Sequence, residues 1–568
     1  NLNIDHDGDG FTENQGDCDD TNFGVNQNAQ EILDDSIDND CDGFIDELSY
    51  ADVALQFYNL LKKLLRPTMI PLWFGDVIQP DQFSGQTANG WAGSDWDGDL
   101  GWLYNSTYQD LGCWDWLAGY NSDLTSYMNN VKPGGTLEDE MYYALGLVMK
   151  GFYYQQYTEA FGMIPFTEAS DPNITLPKYD DQLTIYKGII ADLDEAIAII
   201  GNSVQVNNGF GILRENDVIF GGDMQKWKQL ANSLKLRIAL RAHGGVGEDF
   251  SATVVSEAIS SGVLADVDAF CPAFLSDNMW GDTASYGGIW HNFAGSQWKT
   301  TEALINILKT SNDPRLALMA KPAVGGTMKI TKPVAGQGVA LIDTHVAYVK
   351  SMLDLSGLIL DTDYTWVETA TDLTITMPEN TNFIGMPSRL SGKLKAYMPD
   401  YMFSDPADII TNKYDSCNNG QIFPTILMAS ADSHFMIAEA IVKGLASGDA
   451  NTYYQIGLEK AMAIWGTAPT SEFSAANMGS LTGTNEEKLE KIATQRWLAN
   501  YTNGYEGWSI VRDTGYPTAC VITSDNNDII SFAGELNGLQ VQRLRYGTST
   551  YDSNGDNVND AVSIQGPD

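Results

Sequence analysis

The strongest constraint on folding lies in the first 47 residues, which carry fifteen carboxylates and no lysine or arginine. Like charges at this density repel one another in water, so the segment needs a counterion before it can fold compactly. Two runs within it, Asp5–Phe11 and Asp38–Asp46, place a carboxylate at every second position. Alternating carboxylates suit a hard divalent cation, so we predict that this segment folds around calcium.

Both acidic runs have the spacing of a calcium-binding loop. In such a loop the side chains at positions 1, 3 and 5 turn inward, glycine at position 6 permits a sharp bend, and residue 7 ligates through its carbonyl. Neither run has a glutamate at position 12, so we expect no ordinary EF-hand; closing ligands are expected from Gly16–Asp20 in the first loop and from Asp46 or Glu47 in the second. The sequence predicts two structural calcium ions, with the ligands Asp5, Asp7, Asp9, Phe11, Asp17, Asp20, Asp38, Asp40, Asp42, Phe44 and Asp46.

Two cysteines, Cys18 and Cys41, fall inside these loops. A disulfide between them would close a small lobe that has almost no apolar core, and it would contribute about 3 kcal/mol by loop entropy. The alternative is a disordered acidic tail. This stretch resembles the MopE-type metal-binding repeat of extracellular bacterial proteins and also thrombospondin calcium repeats, which implies metal held for rigidity and not for catalysis.

The whole chain is strongly acidic, with a formal net charge of −43 over 568 residues. This argues against binding to nucleic acid or to an anionic membrane surface, because both need clustered cations. The remaining cysteines, Cys113, Cys271, Cys417 and Cys520, are scattered without zinc-like spacing. No apolar run reaches the length of a membrane span. We expect a secreted or surface protein whose chain begins after processing.

Several segments show helical periodicity. The predicted helices span residues 50–66, 100–130, 136–162, 181–200, 224–243, 249–261, 299–309, 430–446, 450–465 and 484–503. Residues 320–425 differ, since glycine, proline, threonine and asparagine dominate there and only short pieces such as Leu373–Met377 alternate like strands. We predict long loops with small strands in this region, and loops of that length in a compact domain are usually functional.

Sequence blocks spread over residues 51–568 share the order of one known family. The most characteristic block runs from Asp217 to Arg241 and includes Trp227-Lys-Gln-Leu-Ala-Asn-Ser233. The others are Phe161–Phe166, Tyr186 with Asp192–Ala196, Asn312–Leu316, Ala438–Ala440, Gln495–Ala499, Glu506–Trp508, Arg512–Pro517 and Gln542–Tyr546. Together they resemble the SusD/RagB family of nutrient-binding lipoproteins. Asp513 departs from the pattern, since the family commonly has a second arginine there.

The resemblance implies a mainly α fold, with TPR-like helical hairpins, long loops and small β elements, preceded by the small calcium- and disulfide-stabilised lobe. It implies an acidic lobe at 1–48 and a SusD-like domain at 49–568, whose helical scaffold covers about 49–310 and 430–515. The loop-rich, ligand-facing region would cover about 265–425 and 70–99. Such proteins are lipid-anchored at the extracellular face of the outer membrane, cap a SusC-like TonB-dependent transporter, bind oligosaccharides or oligopeptides, and catalyse nothing.

Most of the matching blocks have a structural interpretation. The apolar residues Trp227, Leu230, Leu234 and Ile238 recur every three or four positions, which predicts one buried helical stripe. Asp223 immediately precedes them and is predicted to cap this helix. Charged residues in the blocks are predicted to form structural ion pairs at helix interfaces. They are Arg237, Arg241, Glu439, Arg496 and Arg512.

Two tryptophan-rich segments do not fit helix stripes and are the candidate ligand contacts. A flat ring offers apolar area to a sugar face or a peptide side chain, and nearby Asp or Asn can fix hydroxyls or amides. The candidates are Trp91, Asp95, Trp96, Asn278, Trp280, Tyr286 and Trp290, with Trp366 as a weaker one. The alternative is burial under loops or against the transporter. A further run, Asp552–Asp560, has calcium-like spacing, or is only a polar block.

Two other functions compete with nutrient binding. A glycoside hydrolase would use an aromatic cleft and two carboxylates, but the sequence singles out no such pair and contains no G-x-S-x-G or H-E-x-x-H motif. A TPR-type scaffold that binds only proteins would not need the tryptophan-rich segments.

Overall fold

The computed structural model describes most of the chain. The described residues are 2–29, 32, 35–41, 43, 48–65, 68–88, 106–272, 286–292, 298–332, 346–347, 349–350, 353–354, 356–387, 402–412, 423–521 and 540–566. The chain forms two compact units. The first comprises Asn1–Leu64, Tyr120–Lys150 and Ala191–Lys228, and the second comprises Leu65–Gly119, Gly151–Ile190 and Gln229–Asp568.

The structure is mainly helical, as the sequence predicts. The α-helices are α1 Tyr50–Leu64, α2 Met69–Leu72, α3 Pro80–Phe83, α4 Ser106–Gln109, α5 Asp115–Val131, α6 Glu140–Phe161, α7 Gln182–Ile200, α8 Phe210–Asn216, α9 Met224–Ala242, α10 Ser251–Ser261, α11 Tyr286–Asn292, α12 Glu302–Thr310, α13 Leu316–Met319, α14 Asp408–Thr411, α15 Ser430–Val442, α16 Ala450–Ala463, α17 Ser471–Ala475, α18 Asn485–Ala499, α19 Gly504–Thr514 and α20 Thr548–Gln565. Two π-helical turns, Trp73–Val77 and Asp110–Trp114, adjoin α2 and α4. Each of the ten predicted helical segments contains a helix.

Short antiparallel strands supplement the helices in the described part of the chain. They are β1 Thr87–Ala88, β2 Ala269–Cys271, β3 Lys299–Thr300, β4 Gly326–Thr331, β5 Thr365–Glu368, β6 Asp372–Met377 and β7 Thr425–Met428. The strands pair as β1–β3, β2–β7 and β4–β6–β5. In the three-stranded sheet Met328 faces Ile375 across the ladder, and both are fully buried. The predicted strand at Leu373–Met377 is therefore confirmed.

Helix α9 forms for the local reasons that its sequence indicates. The Asp223 carboxylate accepts the backbone N–H groups of Gln225 at 3.1 Å and Lys226 at 3.3 Å, so it caps the helix start. The predicted stripe is confirmed, since its members Trp227, Leu230, Leu234 and Ile238 have no exposed surface. The buried indole of Trp227 is satisfied because its Nε1 donates to Asp217 Oδ2 at 2.7 Å.

Among the described helices that lie outside the predicted segments, the two longest are α19 and α20. Helix α19 begins after Asn503, whose side chain accepts the Glu506 N–H at 3.4 Å. Helix α20 covers the whole Asp552–Asp560 run, so the prediction of a calcium loop there is wrong. Burial of Val558 and Ala561 stabilises this helix. The helix is kinked at Asn554, whose backbone angles are not helical.

Among the described residues no helix is both long and apolar enough to span a bilayer.

Candidate functional site

The first acidic loop brings three carboxylates together. Oxygens of Asp5, Asp7 and Asp9 all lie within 4.8 Å of one another, the one such group among the described residues. The loop is wound around Asp5, which accepts the N–H of Gly8 at 2.6 Å and of Gly10 at 3.0 Å. Gly10 has φ 98°, a conformation that favours glycine. The loop thus presents three converging ligands of the type that hard cations prefer.

The second acidic loop repeats part of this geometry. Asp38 Oδ2 accepts the N–H of Gly43 at 3.0 Å, five residues on, as Asp5 Oδ2 accepts that of Gly10. Gly43 has φ 99°, nearly the value at Gly10. The predicted ligands Asp42, Phe44 and Asp46 lie outside the described residues. Asp40 does not belong to a group of three converging metal-ligating side chains among the described residues.

Two further predicted ligands, Asp17 and Asp20, are buried beside the first loop. Burial raises the pKa of Asp17, and the carboxylates of Asp9, Asp7 and Asp20 raise it further. Burial acts in the same direction on Asp20, but the hydrogen bonds that it accepts from His6 prevail and lower its pKa. Asp20 is therefore held by His6 and is not part of the three-carboxylate group.

Unsatisfied oxygens indicate that the first loop fits a cation. Asp7 Oδ2 and Asp17 Oδ2 are buried and have no hydrogen-bond partner among the described residues. A buried carboxylate oxygen without a partner is costly, and a divalent cation bound by Asp5, Asp7 and Asp9 would satisfy Asp7 Oδ2. Phe11 donates its N–H to Asp9 Oδ1 at 2.7 Å, which leaves its carbonyl for the predicted ligand role.

The predicted disulfide is confirmed. Cys18 and Cys41 are bonded, with their Cα atoms 5.6 Å apart. Asn26, which the sequence analysis did not single out, links the loops: its Nδ2 donates to Asp9 Oδ2 at 2.8 Å and its backbone N–H to Asn39 O at 2.9 Å. The lobe is therefore cross-linked by one covalent bond and by polar contacts in place of an apolar core.

In the second unit, three buried arginines connect helices α9, α15, α18 and α19. Glu506 lies at the centre, within 3.4 Å of Arg237, 2.7 Å of Arg241 and 3.5 Å of Arg496. Burial alone would raise the pKa of Glu506, but the three arginines prevail and lower it to about 2. The carboxylate thus remains charged in the interior because it is surrounded by fixed cations.

The outer contacts complete this ion-pair network. Arg237 and Arg496 share Asp432, at 3.0 and 2.7 Å, while Arg496 also pairs with Glu439 at 2.9 Å. Arg241 reaches Glu159 at 2.6 Å. The predicted structural role of Arg237, Arg241, Glu439 and Arg496 is therefore confirmed.

Arg512 is held differently from the prediction. Its Nη1 donates to the main-chain carbonyls of Glu159 at 2.8 Å and Gln542 at 2.6 Å. The guanidinium carbon also lies 3.6 Å from the centroid of the Trp508 ring. Carbonyl oxygens and an aromatic face, in place of carboxylates, therefore fix this arginine.

The described candidate ligand residues belong to an aromatic cluster. Trp290 is 6% exposed and packs edge-to-face against Trp298, with ring centroids 5.3 Å apart. Tyr286 is half-buried, and its ring centroid lies 5.8 Å from that of Trp298. The predicted contacts Trp91, Asp95, Trp96, Asn278 and Trp280 lie outside the described residues. Trp366 is partly buried against the three-stranded sheet.

Described residues next to the two tryptophan-rich segments are brought together by the fold. Strand β1, which ends one residue before Asn89, pairs with β3, so that Ala88 faces Lys299. Lys299 Nζ lies 5.8 Å from the Trp290 ring centroid and forms an ion pair with Asp405 at 2.5 Å. The ladder thus joins two described strands that lie about 200 residues apart in sequence.

A second contact fixes the same region. The hydroxyl of Tyr286 lies 2.7 Å from Asp81 Oδ2 and 2.9 Å from the carbonyl of Thr502. Asp81 is fully buried in α3. Neither Asp81 nor Thr502 belongs to a sequence motif that could reveal its role. Only the three-dimensional contact identifies Asp81 and Thr502 as part of this region.

Three cysteines outside the lobe are buried in the described part of the chain. They are Cys113, Cys271 and Cys520. Burial raises the pKa of the Cys520 thiol, and the nearby Glu302 carboxylate adds to the effect. Such thiols are poor nucleophiles at neutral pH.

Comparison with known proteins gives two family matches. The SusD-like family, described as starch-binding and associating with the outer membrane, matches residues 80–348 and 373–533. The Cu-binding MopE family, a metal-binding motif, matches residues 17–47. No curated protein matches the chain significantly.

Solved structures of the same fold cover nearly the whole chain. A chitin-binding protein aligns with a TM-score of 0.64 at 21% identity, covering 90% of this chain and 96% of its own. A SusD-like protein from Bacteroides thetaiotaomicron aligns with a TM-score of 0.63 at 21% identity, covering 90% and 95%. A SusD homologue from Bacteroides uniformis aligns with a TM-score of 0.64 at 20% identity, covering 92% and 98%. The family match extends over most of the chain and these structures share its fold, so the chain belongs to the SusD-like family, with a MopE-type metal-binding motif near its N-terminus.

Proposed function

We propose that this protein binds an oligosaccharide at the outer-membrane surface and delivers it to a SusC-like TonB-dependent transporter without catalysing a reaction. The observation that carries the proposal is membership in a family described as starch-binding and associating with the outer membrane. The likeness to a structure titled as a chitin-binding protein is a second reason to test glycans first. A lipid anchor would hold the protein at the extracellular face.

The proposed ligand surface is formed by the two tryptophan-rich segments. Its residues are Trp91, Asp95, Trp96, Asn278, Trp280, Tyr286 and Trp290. Two observations support it: the β1–β3 ladder and the contact of Tyr286 with Asp81 bring described residues that precede the first segment close to described residues in or after the second. Within this set, the near-complete burial of Trp290 favours a supporting role beneath the surface.

In this proposal the protein acts as a lid that closes over the transporter with its ligand inside. That closure must be driven by a difference in ligand affinity between the open and closed states. In this proposal the helices of the SusD-like domain at 49–568 carry the ligand surface. The buried ion-pair network supports that role within the second unit, because its paired charges hold α9, α15, α18 and α19 together.

The ligand proposal is tested by calorimetric titration with maltoheptaose, chitohexaose and a mixed oligopeptide pool. We expect saturable binding of an oligosaccharide, and a loss of at least roughly fivefold in affinity for Trp91→Ala and Trp280→Ala, since one stacked ring contributes about 1–3 kcal/mol. Trp116→Ala, at a half-buried position in α5, serves as a control outside both segments. Binding only of peptides would redirect the proposal to a peptide carrier, release of shortened sugars would indicate a hydrolase, and no binding at all would favour a protein scaffold.

The transporter proposal needs a separate test. The full-length protein, purified from the outer membrane of its native host under mild detergent, should carry a TonB-dependent barrel in fixed stoichiometry. Mass spectrometry of the purified complex identifies that chain. Recovery of the protein alone, under conditions that preserve other barrel complexes, would contradict this part of the proposal.

We also propose that the lobe at residues 1–48 binds calcium, with two ions that have a structural role. The converging Asp5, Asp7 and Asp9 carboxylates support this, as do the unsatisfied oxygens of Asp7 and Asp17. All of these ligands are oxygens, which suit calcium better than copper. Elemental analysis of the purified protein and titration with Ca²⁺ and Cu²⁺ determine which metal binds and how many ions. Preference for copper would contradict the calcium assignment.

A further inference from the structure

The turn that contains Thr502 holds both parts of the proposed ligand region. Gln86, two residues before the end of β1, is fully buried. Its Nε2 donates to the carbonyls of Trp497 at 2.9 Å and Asn500 at 3.2 Å, and its Oε1 accepts the N–H of Thr502 at 3.2 Å. One glutamine side chain thus attaches the β1 end to the turn after α18.

Helix α11, which bears Trp290, contacts the same turn through its first residue. Tyr286, the first residue of α11, shares its one hydroxyl hydrogen between two acceptors, the carbonyl of Thr502 and Asp81 Oδ2. The N–H and the C=O of Thr502 are therefore bound by two different elements, Gln86 before β1 and Tyr286 in α11. A single residue is the junction between them.

Thr502 is itself in an unfavourable conformation. Its φ is 78°, a left-handed value that is strained and rare for a β-branched residue. Such a conformation persists only when the surroundings fix it, and it is concentrated at ligand-binding and active sites. Here the surroundings are the two hydrogen bonds that the Thr502 main chain makes.

From this arrangement we propose that Tyr286 is a positioning residue for ligand binding, acting through Asp81 and the Thr502 turn and not by touching the ligand. This rests on the function proposed above. Its hydroxyl sets the start of α11, and so the position of Trp290, relative to α3 and β1. In this proposal Tyr286 supports the ligand surface and is not itself part of it.

The test removes only the hydroxyl. Tyr286→Phe should weaken oligosaccharide binding on the order of fivefold, because one buried hydrogen bond that fixes the geometry is lost. Tyr454→Phe is the matched control, since that buried hydroxyl also donates to a carbonyl, Met478 O at 2.8 Å, but belongs to a different hydrophobic cluster. Both variants should show similarly small decreases in melting temperature. Unchanged binding by Tyr286→Phe would overturn the proposal.

A double-mutant cycle separates positioning from direct contact. If Tyr286 acts through Asp81, the pair Tyr286→Phe and Asp81→Asn should lose little more affinity together than the stronger single variant loses. Fully additive losses would show that the tyrosine acts on the ligand independently, which contradicts the proposal.

A ligand-free measurement keeps the inference independent of the proposed function. Hydrogen–deuterium exchange should rise in peptides covering residues 77–88 and 286–292 in Tyr286→Phe, and in neither for Tyr454→Phe. If the wild-type protein binds no oligosaccharide, the proposed function fails, while this exchange result still decides whether the contact positions both elements. Unchanged exchange in both peptides would refute the positioning role.

Discussion

Arg496 Nε donates to Asp432 Oδ1 at 2.7 Å, which joins α18 to α15 through a pair of side chains that are almost completely removed from water. Asp432 also receives Arg237 from α9 at 3.0 Å. One aspartate is thus ion-paired with two arginines from two helices.

Removing that aspartate should be far more damaging than its single charge suggests. Asp432→Asn leaves two buried guanidinium groups undercompensated, and we expect a loss of about 3–5 kcal/mol in the free energy of unfolding. The matched control is Asp266→Asn, which disrupts the Lys460 pair where Asp266 is 89% exposed. That change should cost less than about 1 kcal/mol. Urea titration followed by circular dichroism compares the two, and equal effects would contradict a stabilising role for the network.

Stability should fall in acid because of Glu506. Its folded-state pKa is about 2, below the ordinary value of 4.5, so its contribution is fully present above pH 4.5 and is lost as the pH falls towards 2. Glu506→Gln should be less stable than wild type at pH 7 by about 3 kcal/mol, with a shallower decline in acid. Denaturant unfolding measured from pH 7 to pH 3 tests this. Parallel curves for the two proteins would show that Glu506 does not control the acid response.

The lobe should depend on metal through its first loop. Asp7→Asn removes one of three converging carboxylates, and we expect at least roughly tenfold weaker Ca²⁺ binding at that loop. Asp19→Asn is the control in the same lobe, because exposed Asp19 contacts Thr21 and lies outside the three-carboxylate group. Calorimetry with metal-free protein measures both. Equal affinities for the two variants would exclude the proposed ligand set.

Reduction should destabilise the lobe selectively. The Cys18–Cys41 bridge closes a loop with a sequence separation of 23 residues, and its loss should cost about 3 kcal/mol. In the double variant Cys18→Ser/Cys41→Ser, added reductant should have no further effect on thermal unfolding. A further shift in that variant would mean that another cysteine pair is being reduced.

Trp290→Ala should lower stability as well as binding. The ring is 6% exposed and packs on Trp298, so truncation leaves a cavity that costs about 3–5 kcal/mol. Thermal unfolding of Trp290→Ala without ligand measures that cost. If the variant is as stable as wild type and only binding is lost, Trp290 contacts the ligand directly.

Local sequence rules were sufficient wherever a short pattern determines the structure. Asp223 caps α9, the stripe from Trp227 to Ile238 is buried, and Gly10 bends the first loop, all as the spacing predicts. The pairing of Cys18 with Cys41 also followed from their positions.

The same rules failed where tertiary contacts decide. The acidic spacing of Asp552–Asp560 fits a loop or an exposed helix face, and burial of Val558 makes it a helix. Arg512 finds carbonyl oxygens that no pattern could indicate. Asp81 and Thr502 meet Tyr286 across more than 200 residues, a distance over which spacing carries no information.

The Gln86 contacts have a consequence for the order in which the chain folds. The acceptors of its amide lie 411 and 414 residues further along the chain, so this buried side chain cannot be satisfied until residues 497–500 have been synthesised. Contacts of such long range form late and slow folding. The region around β1 therefore cannot reach its final structure while the rest of the chain is still being made.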